Sequence, residues 1–177
     1  MIPNEITIKS NKIFDGKMIN LRVDTVLLPG EKKATREIVE HPGAVAIVPI
    51  TEDNKIVMVK QFRKPVDSIL LEIPAGKIDK NEKPLTCAIR ELKEETGYEA
   101  KDIKFLFSFY TSAGFSNEVI HLYLAKDLIS GEACPDEDEY IELEYIGINE
   151  LVEMIYDGKI KDSKTIMAIL AVKDLLV

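Results

Sequence analysis

Gly76-Lys77-Ile78-Asp79-Lys80-Asn81-Glu82, followed after seven residues by Arg90-Glu91-Leu92-Lys93-Glu94-Glu95-Thr96-Gly97-Tyr98, is the stretch that decides how this chain reads. Proline suits a first helical turn and glycine a left-handed C-terminal cap, so Pro84 and Gly97 bracket a helix over 84–96. Leu85, Ala88, Ile89 and Leu92 form its expected apolar face. Arg90, Glu91, Glu94 and Glu95 lie away from that face. Residues four apart project on one side, so Glu91 and Glu95 converge, and two converging carboxylates call for a cation between them. Hard oxygen donors select Mg²⁺ or Mn²⁺, and Mg²⁺ takes few carboxylates alongside water and substrate phosphate. The same residues would also suit a solvated helix face, with Arg90 and Glu94 paired i,i+4.

Outward from this helix, β-branched residues interleaved with polar ones indicate two short strands over 6–28, about an Asp15-Gly16 turn, and a third over 35–40. These make a small N-terminal antiparallel sheet, within a first region over 1–42. From Gly43 the apolar runs lengthen, giving strands over 44–50, 55–61 and 68–73 before the helix and over 105–110, 119–125 and 141–146 after it. Two closing helices are expected over 149–156 and 163–175. Strands with helices packed around them place the main domain, 43–177, in the α+β class or a three-layer α/β/α arrangement.

The 177 residues, 46% of them hydrophobic, suffice for one full core and a small appendage. A formal net charge of −8 repels polyanions, so nucleic acid is not an expected partner, whereas a small phosphorylated substrate can be bridged by a cation. Cys87 and Cys134 have no CxxC spacing and no second pair, which argues against a disulfide framework or a zinc site. His41 and His121 likewise lack paired-ligand spacing. No uninterrupted apolar run approaches about 18 residues and the N-terminus is broken by Asn4, Glu5 and Lys9, so neither membrane spanning nor secretion is expected. The expected compartment is the cytoplasm.

The spacing of Gly76, Glu82 and the run Arg90 to Tyr98 matches the Nudix box at every specified position. The resemblance extends to Arg36-Glu37-Ile38-Val39-Glu40-His41-Pro42-Gly43-Ala44, to Gln61-Phe62-Arg63-Lys64-Pro65 and to Leu71-Glu72-Ile73-Pro74-Ala75-Gly76, which look like the ADP-ribose pyrophosphatase branch. This resemblance covers most of the chain. It implies a Nudix fold, an α/β/α sandwich with a mixed sheet, preceded by a three-stranded sheet exchanged across a homodimer with shared active sites. It also implies hydrolysis of ADP-ribose to AMP and ribose 5-phosphate, with two or more Mg²⁺ or Mn²⁺ ions at each site.

Carried onto this sequence, the family pattern makes Glu91 and Glu95 the main metal ligands, Glu94 a further ligand or a water-mediated one, and the Ala75 carbonyl an additional oxygen donor. Gly76 would let the backbone approach the metal and Glu82 would give outer support. Arg90 would orient the glutamates. The resemblance draws the catalytic base from the acidic run Asp136-Glu137-Asp138-Glu139, with Glu137 first and Glu139 second. Arg36 and Arg63 resemble the branch's substrate-binding arginines, and Phe115 and Glu118 match its specificity loop. The branch has a proline 16 residues after the last box glycine, where this chain has Ala113, a less rigid choice. Other nucleoside diphosphate sugars, such as GDP-mannose, and flavin or dinucleoside diphosphates therefore stand as alternative substrates. A third reading is a non-catalytic nucleotide-binding regulator, disfavoured because Glu91, Glu94 and Glu95 are all present.

Overall fold

Gly16 closes the first hairpin by donating its N–H to the Ile19 carbonyl at 3.1 Å in this computed structural model, which describes residues 2–134 and 140–175. The hairpin joins β1 (Ile6–Asp15) antiparallel to β2 (Asn20–Leu27), and β3 (Lys33–Glu40) pairs on the other side of β2 from Asn20↔Glu40 to Leu27↔Lys33. Residues Met1–Gly43 form one compact unit together with Tyr110–Val119. That second segment joins the sheet through backbone bonds, Val39 N–H to the Phe115 carbonyl at 2.8 Å and Asn117 N–H to the Val39 carbonyl at 3.2 Å.

The second unit, Ala44–Phe109 with Ile120–Val177, carries the main core. Its central strand is β4 (Ala44–Pro49), parallel to β9 (Val119–Ser130) and antiparallel to the short β7 (Ala75–Lys77). With β8 (Tyr98–Tyr110) on the far side of β9 these strands form a mixed sheet in the order β7-β4-β9-β8. A second, antiparallel sheet has β5 (Lys55–Arg63) between β6 (Ser68–Glu72) and β10 (Glu142–Gly147).

The period-2 alternation of β4 sends its side chains to two different cores. Val45 and Ile47 meet Cys87, Ala88 and Leu92 of α1 (Pro84–Thr96), whereas Ala46 and Val48 meet the cluster that contains Leu151 of α2 (Ile148–Tyr156) and Ala168, Ile169 and Val172 of α3 (Ser163–Val172). Helices on both faces of a mixed sheet are the expected three-layer arrangement, and the small N-terminal sheet is also present.

Three expectations are corrected. The buried face of α1 is Cys87, Ala88, Glu91, Leu92, Glu95 and Thr96, whereas Leu85 and Ile89 are about half exposed. Periodicity that counts only apolar residues misses a helix whose inward face includes two carboxylates. Strand β8 starts directly after the α1 cap rather than at Phe105, and the helix expected over 163–175 tightens into a 3-10 turn at Lys173–Leu175.

Candidate active site

The site is built where α1 lies over β7. Proline opens α1, and Gly97 ends it at φ 74°, donating its N–H to the Lys93 carbonyl at 2.8 Å. Helix geometry places Glu91 and Glu95 one turn apart, both buried, pointing toward the backbone of Ala75 and Gly76. The Ala75 N–H donates to Glu95 Oε2 at 3.0 Å. A Cβ at Gly76 would fall 1.9 Å from Glu91 Cδ, so only glycine leaves that carboxylate its place.

Arg90 ties the remaining carboxylates together. Its Nε and Nη2 donate to the two Glu82 oxygens at 3.0 and 2.9 Å, and its Nη1 reaches Glu91 Oε1 at 2.6 Å and Glu94 Oε2 at 2.8 Å. Nη2 also donates to the Lys77 carbonyl at 3.2 Å, which fastens the helix to β7. Hydrogen bonding from Arg90 holds the Glu82 carboxyl far below the usual carboxylate range, at about 2. The same contact with Glu82 raises the Arg90 guanidinium further above its already high value. Burial pushes the neighbouring Cys87 thiol up, which keeps it an inert packing group.

Among the described residues, no cluster of three His, Cys, Asp or Glu side chains stands in a ready metal-binding arrangement. The donor set nevertheless fits a hard cation. Two buried carboxylates converge on the backbone of β7 at Ala75 and Gly76, where the missing Cβ of Gly76 leaves room for Glu91, and Mg²⁺ uses one or two carboxylates with water and phosphate rather than a full protein cage.

Arg63, expected to meet substrate, turns its Nε and Nη2 to Glu72, each at 2.8 Å. That bidentate bond to Glu72 raises the Arg63 guanidinium, and Glu95 and Asp162 add to the same field. Burial opposes ionisation of Glu72, but the cations of Arg63 and Lys164 outweigh it and hold the carboxyl below its ordinary range. The sequence reading overlooked Glu72, Lys164 and Asp162. An acid and a base far apart in sequence carry no local sign that they will meet, although Asp162 ahead of α3 is a recognisable N-cap.

In the first unit, Arg36 is half-buried and forked onto Glu5, with Nε to Glu5 Oε2 at 2.9 Å. Glu118 accepts from Thr111 Oγ1 at 2.7 Å and lies 3.4 Å from His41 Nδ1, while the Phe115 ring is exposed. Glu137 and Glu139 lie outside the described residues. The segment leading to them is anchored: Cys134 N–H donates to the Glu94 carbonyl at 3.0 Å, and a Cβ at Gly131 would meet the Gly97 carbonyl at 2.9 Å.

Comparison with known proteins bears on this arrangement directly. Residues 40–168 match the family model described as the NUDIX domain. Over 167 residues, 93% of this chain and 90% of the relative, the chain is 50% identical to a methanol dehydrogenase activator of Bacillus methanolicus. Over the same shares it is 46% identical to an ADP-ribose pyrophosphatase of Bacillus subtilis (strain 168). A solved structure described as an ADP compounds hydrolase has the same fold, with a TM-score of 0.88 at 20% identity over 99% of this chain and 96% of that one. With the box residues gathered on α1 and β7 and the family model spanning most of the chain, the protein belongs to the Nudix family.

Proposed function

We propose that the chain hydrolyses the diphosphate bond of ADP-ribose, giving AMP and ribose 5-phosphate. The observation that carries this is the buried pair Glu91 and Glu95 converging on the β7 backbone at Ala75 and Gly76, where only a glycine leaves Glu91 room. The substrate is argued from the 46% identical ADP-ribose pyrophosphatase of Bacillus subtilis. Glu91, Glu95 and the Ala75 carbonyl hold divalent cations, Mg²⁺ or Mn²⁺, with Glu94 as a further ligand. Bound there, two or more such ions neutralise the diphosphate and make a water acidic enough to supply hydroxide near neutral pH.

The chain's own residues prepare that step. Arg90 holds Glu91 and Glu94 in register through 2.6 and 2.8 Å bonds, and Glu82 fixes Arg90 from the other side. Glu137, or Glu139 in its stead, takes the proton of the attacking water. Water oxygen bonds to phosphorus as the bridging P–O bond breaks, and the leaving phosphate departs with its electron pair. Arg36, Arg63, Phe115 and Glu118 bind the nucleotide, Arg36 from the partner subunit of a homodimer whose N-terminal sheets are exchanged. The working compartment is the cytoplasm. This agrees with the free thiols Cys87 and Cys134.

Incubation with divalent cation and a panel of ADP-ribose, ADP-glucose, GDP-mannose, NADH, FAD and a dinucleoside polyphosphate tests the reading. Highest kcat/KM on ADP-ribose with AMP as product supports it, while preference for GDP-mannose or another member shows that the loop at Ala113 redirects the same chemistry. A Glu95→Gln variant that stays folded loses turnover, and retained activity in that variant would refute the ligand assignment. A second reading rests on the 50% identical methanol dehydrogenase activator: the chain activates a methanol dehydrogenase. Faster alcohol oxidation by such a dehydrogenase on adding this chain, abolished in Glu95→Gln, would favour it.

A further inference from the structure

The strand end that reaches the metal cradle is gripped by three elements in three successive residues. The Ile73 N–H donates to Thr165 Oγ1 of α3 at 2.9 Å, the Pro74 carbonyl accepts from Ile47 N–H of β4 at 2.8 Å, and the Ala75 N–H donates to Glu95 of α1 at 3.0 Å. One residue earlier, the buried Glu72 is bonded by Lys164 of α3 and forked by Arg63. Asp162 gathers the α3 side: its Oδ2 accepts from Thr165 N–H at 3.0 Å, Thr165 Oγ1 at 2.6 Å and Lys164 Nζ at 3.0 Å.

An ordinary helix cap would need only Asp162 and the Thr165 amide. Here the capping carboxylate also orients a fully buried hydroxyl so that its proton goes to Asp162 and its lone pair faces Ile73. The same carboxylate steers a nearly buried ammonium onto Glu72. Pro74, with its fixed φ, leaves little slack between Ile73 and Ala75. A displacement at Thr165 therefore passes within two residues to the amide that holds Glu95.

We propose that Lys164 and Thr165 are positioning residues of the metal cradle, setting the register of Ala75 and Glu95 from the first turn of α3. The inference rests on the metal assignment made above, although not on the choice of nucleotide. Neither residue touches substrate in this role. Support from outside the ligand shell is worth roughly 10- to 100-fold in metal affinity in comparable sites.

The experiment is Mn²⁺ titration of the full chain, followed by electron paramagnetic resonance without any nucleotide, on the unaltered protein and on Thr165→Val, Thr165→Ser, Lys164→Met and Lys164→Arg. Thr165→Val and Lys164→Met should weaken Mn²⁺ binding roughly tenfold or more, with Thr165→Ser restoring it, while melting temperatures report stability separately. Variants that bind Mn²⁺ as the unaltered chain does, even with lowered melting temperature, overturn the proposal and leave the cradle itself intact. Absence of Mn²⁺ binding in the unaltered chain overturns the cradle and the proposal together. Should the variants fail to fold, hydrogen exchange on the unaltered chain decides. Slowing of the peptides spanning 72–76 and 162–166 together on Mn²⁺ addition supports the coupling, and slowing of the first alone overturns it.

Discussion

Gly76 is the residue on which the cradle turns. A methyl group there would overlie the Glu91 carboxylate, the far end of a side chain that can swing away, so Gly76→Ala should fold and yet lose its ligand geometry. The expected outcome is a roughly 10- to 100-fold loss in Mn²⁺ affinity with little change in melting temperature, read by metal titration and thermal melts. Glycine, glutamate and arginine at the box spacing were legible in the sequence because those residue types are tied to the chemistry one by one. Arg63 was harder. Its match to a substrate-binding arginine says nothing of Glu72, which occupies two of its donors at 2.8 Å and which only the meeting of β5 with β6 brings within reach.

At the scale of the element, α1 was legible at both ends and misread along its side. Pro84 and Gly97 set its limits through backbone preferences, whereas the inward face was hidden because Glu91 and Glu95 stand where apolar residues are expected. Gly97→Ala should destabilise the fold by more than about 1 kcal/mol, since φ is 74° and the new Cβ would sit 2.8 Å from the Ala133 backbone nitrogen; chemical denaturation measures this. The clamp between α1 and β7 should also show in acid. Arg90 lowers the Glu82 carboxyl from 4.5 to about 2, so Glu82 binds a proton in the unfolded chain before it does so in the folded one. Its stabilising effect is therefore complete above about 4.5 and is lost as pH falls toward about 2. Melting temperature against pH should fall through that window in the unaltered chain and less steeply in Glu82→Gln. The strand β7 itself was not legible, for the three residues Ala75, Gly76 and Lys77 are too few to carry a period.

For the whole molecule, the succession of strands and helices along the chain, β7 excepted, followed from periodicity, but the assignment of Tyr110–Val119 to the N-terminal unit did not, because it depends on backbone bonds such as Val39 to Phe115 that no side-chain pattern announces. If active sites are shared between subunits, mixing Glu95→Gln and Arg36→Ala chains under exchange conditions should restore turnover that neither has alone. Sites built within one chain would give no recovery, and sedimentation of the unaltered 19.9 kDa chain tells dimer from monomer. Arg90 has one more consequence. Arg90 donates to Glu82, Glu91 and Glu94, and a backbone amide donates to Glu95, so each of these carboxylates has a hydrogen-bond partner before any ion arrives, while the excess negative charge is left for the ion to neutralise. A preparation stripped by a chelator should therefore keep its fold, so that one batch can be divided and charged with Mg²⁺, Mn²⁺ or Co²⁺ side by side and differences between the aliquots belong to the ion; a melting transition lost on stripping would count against this.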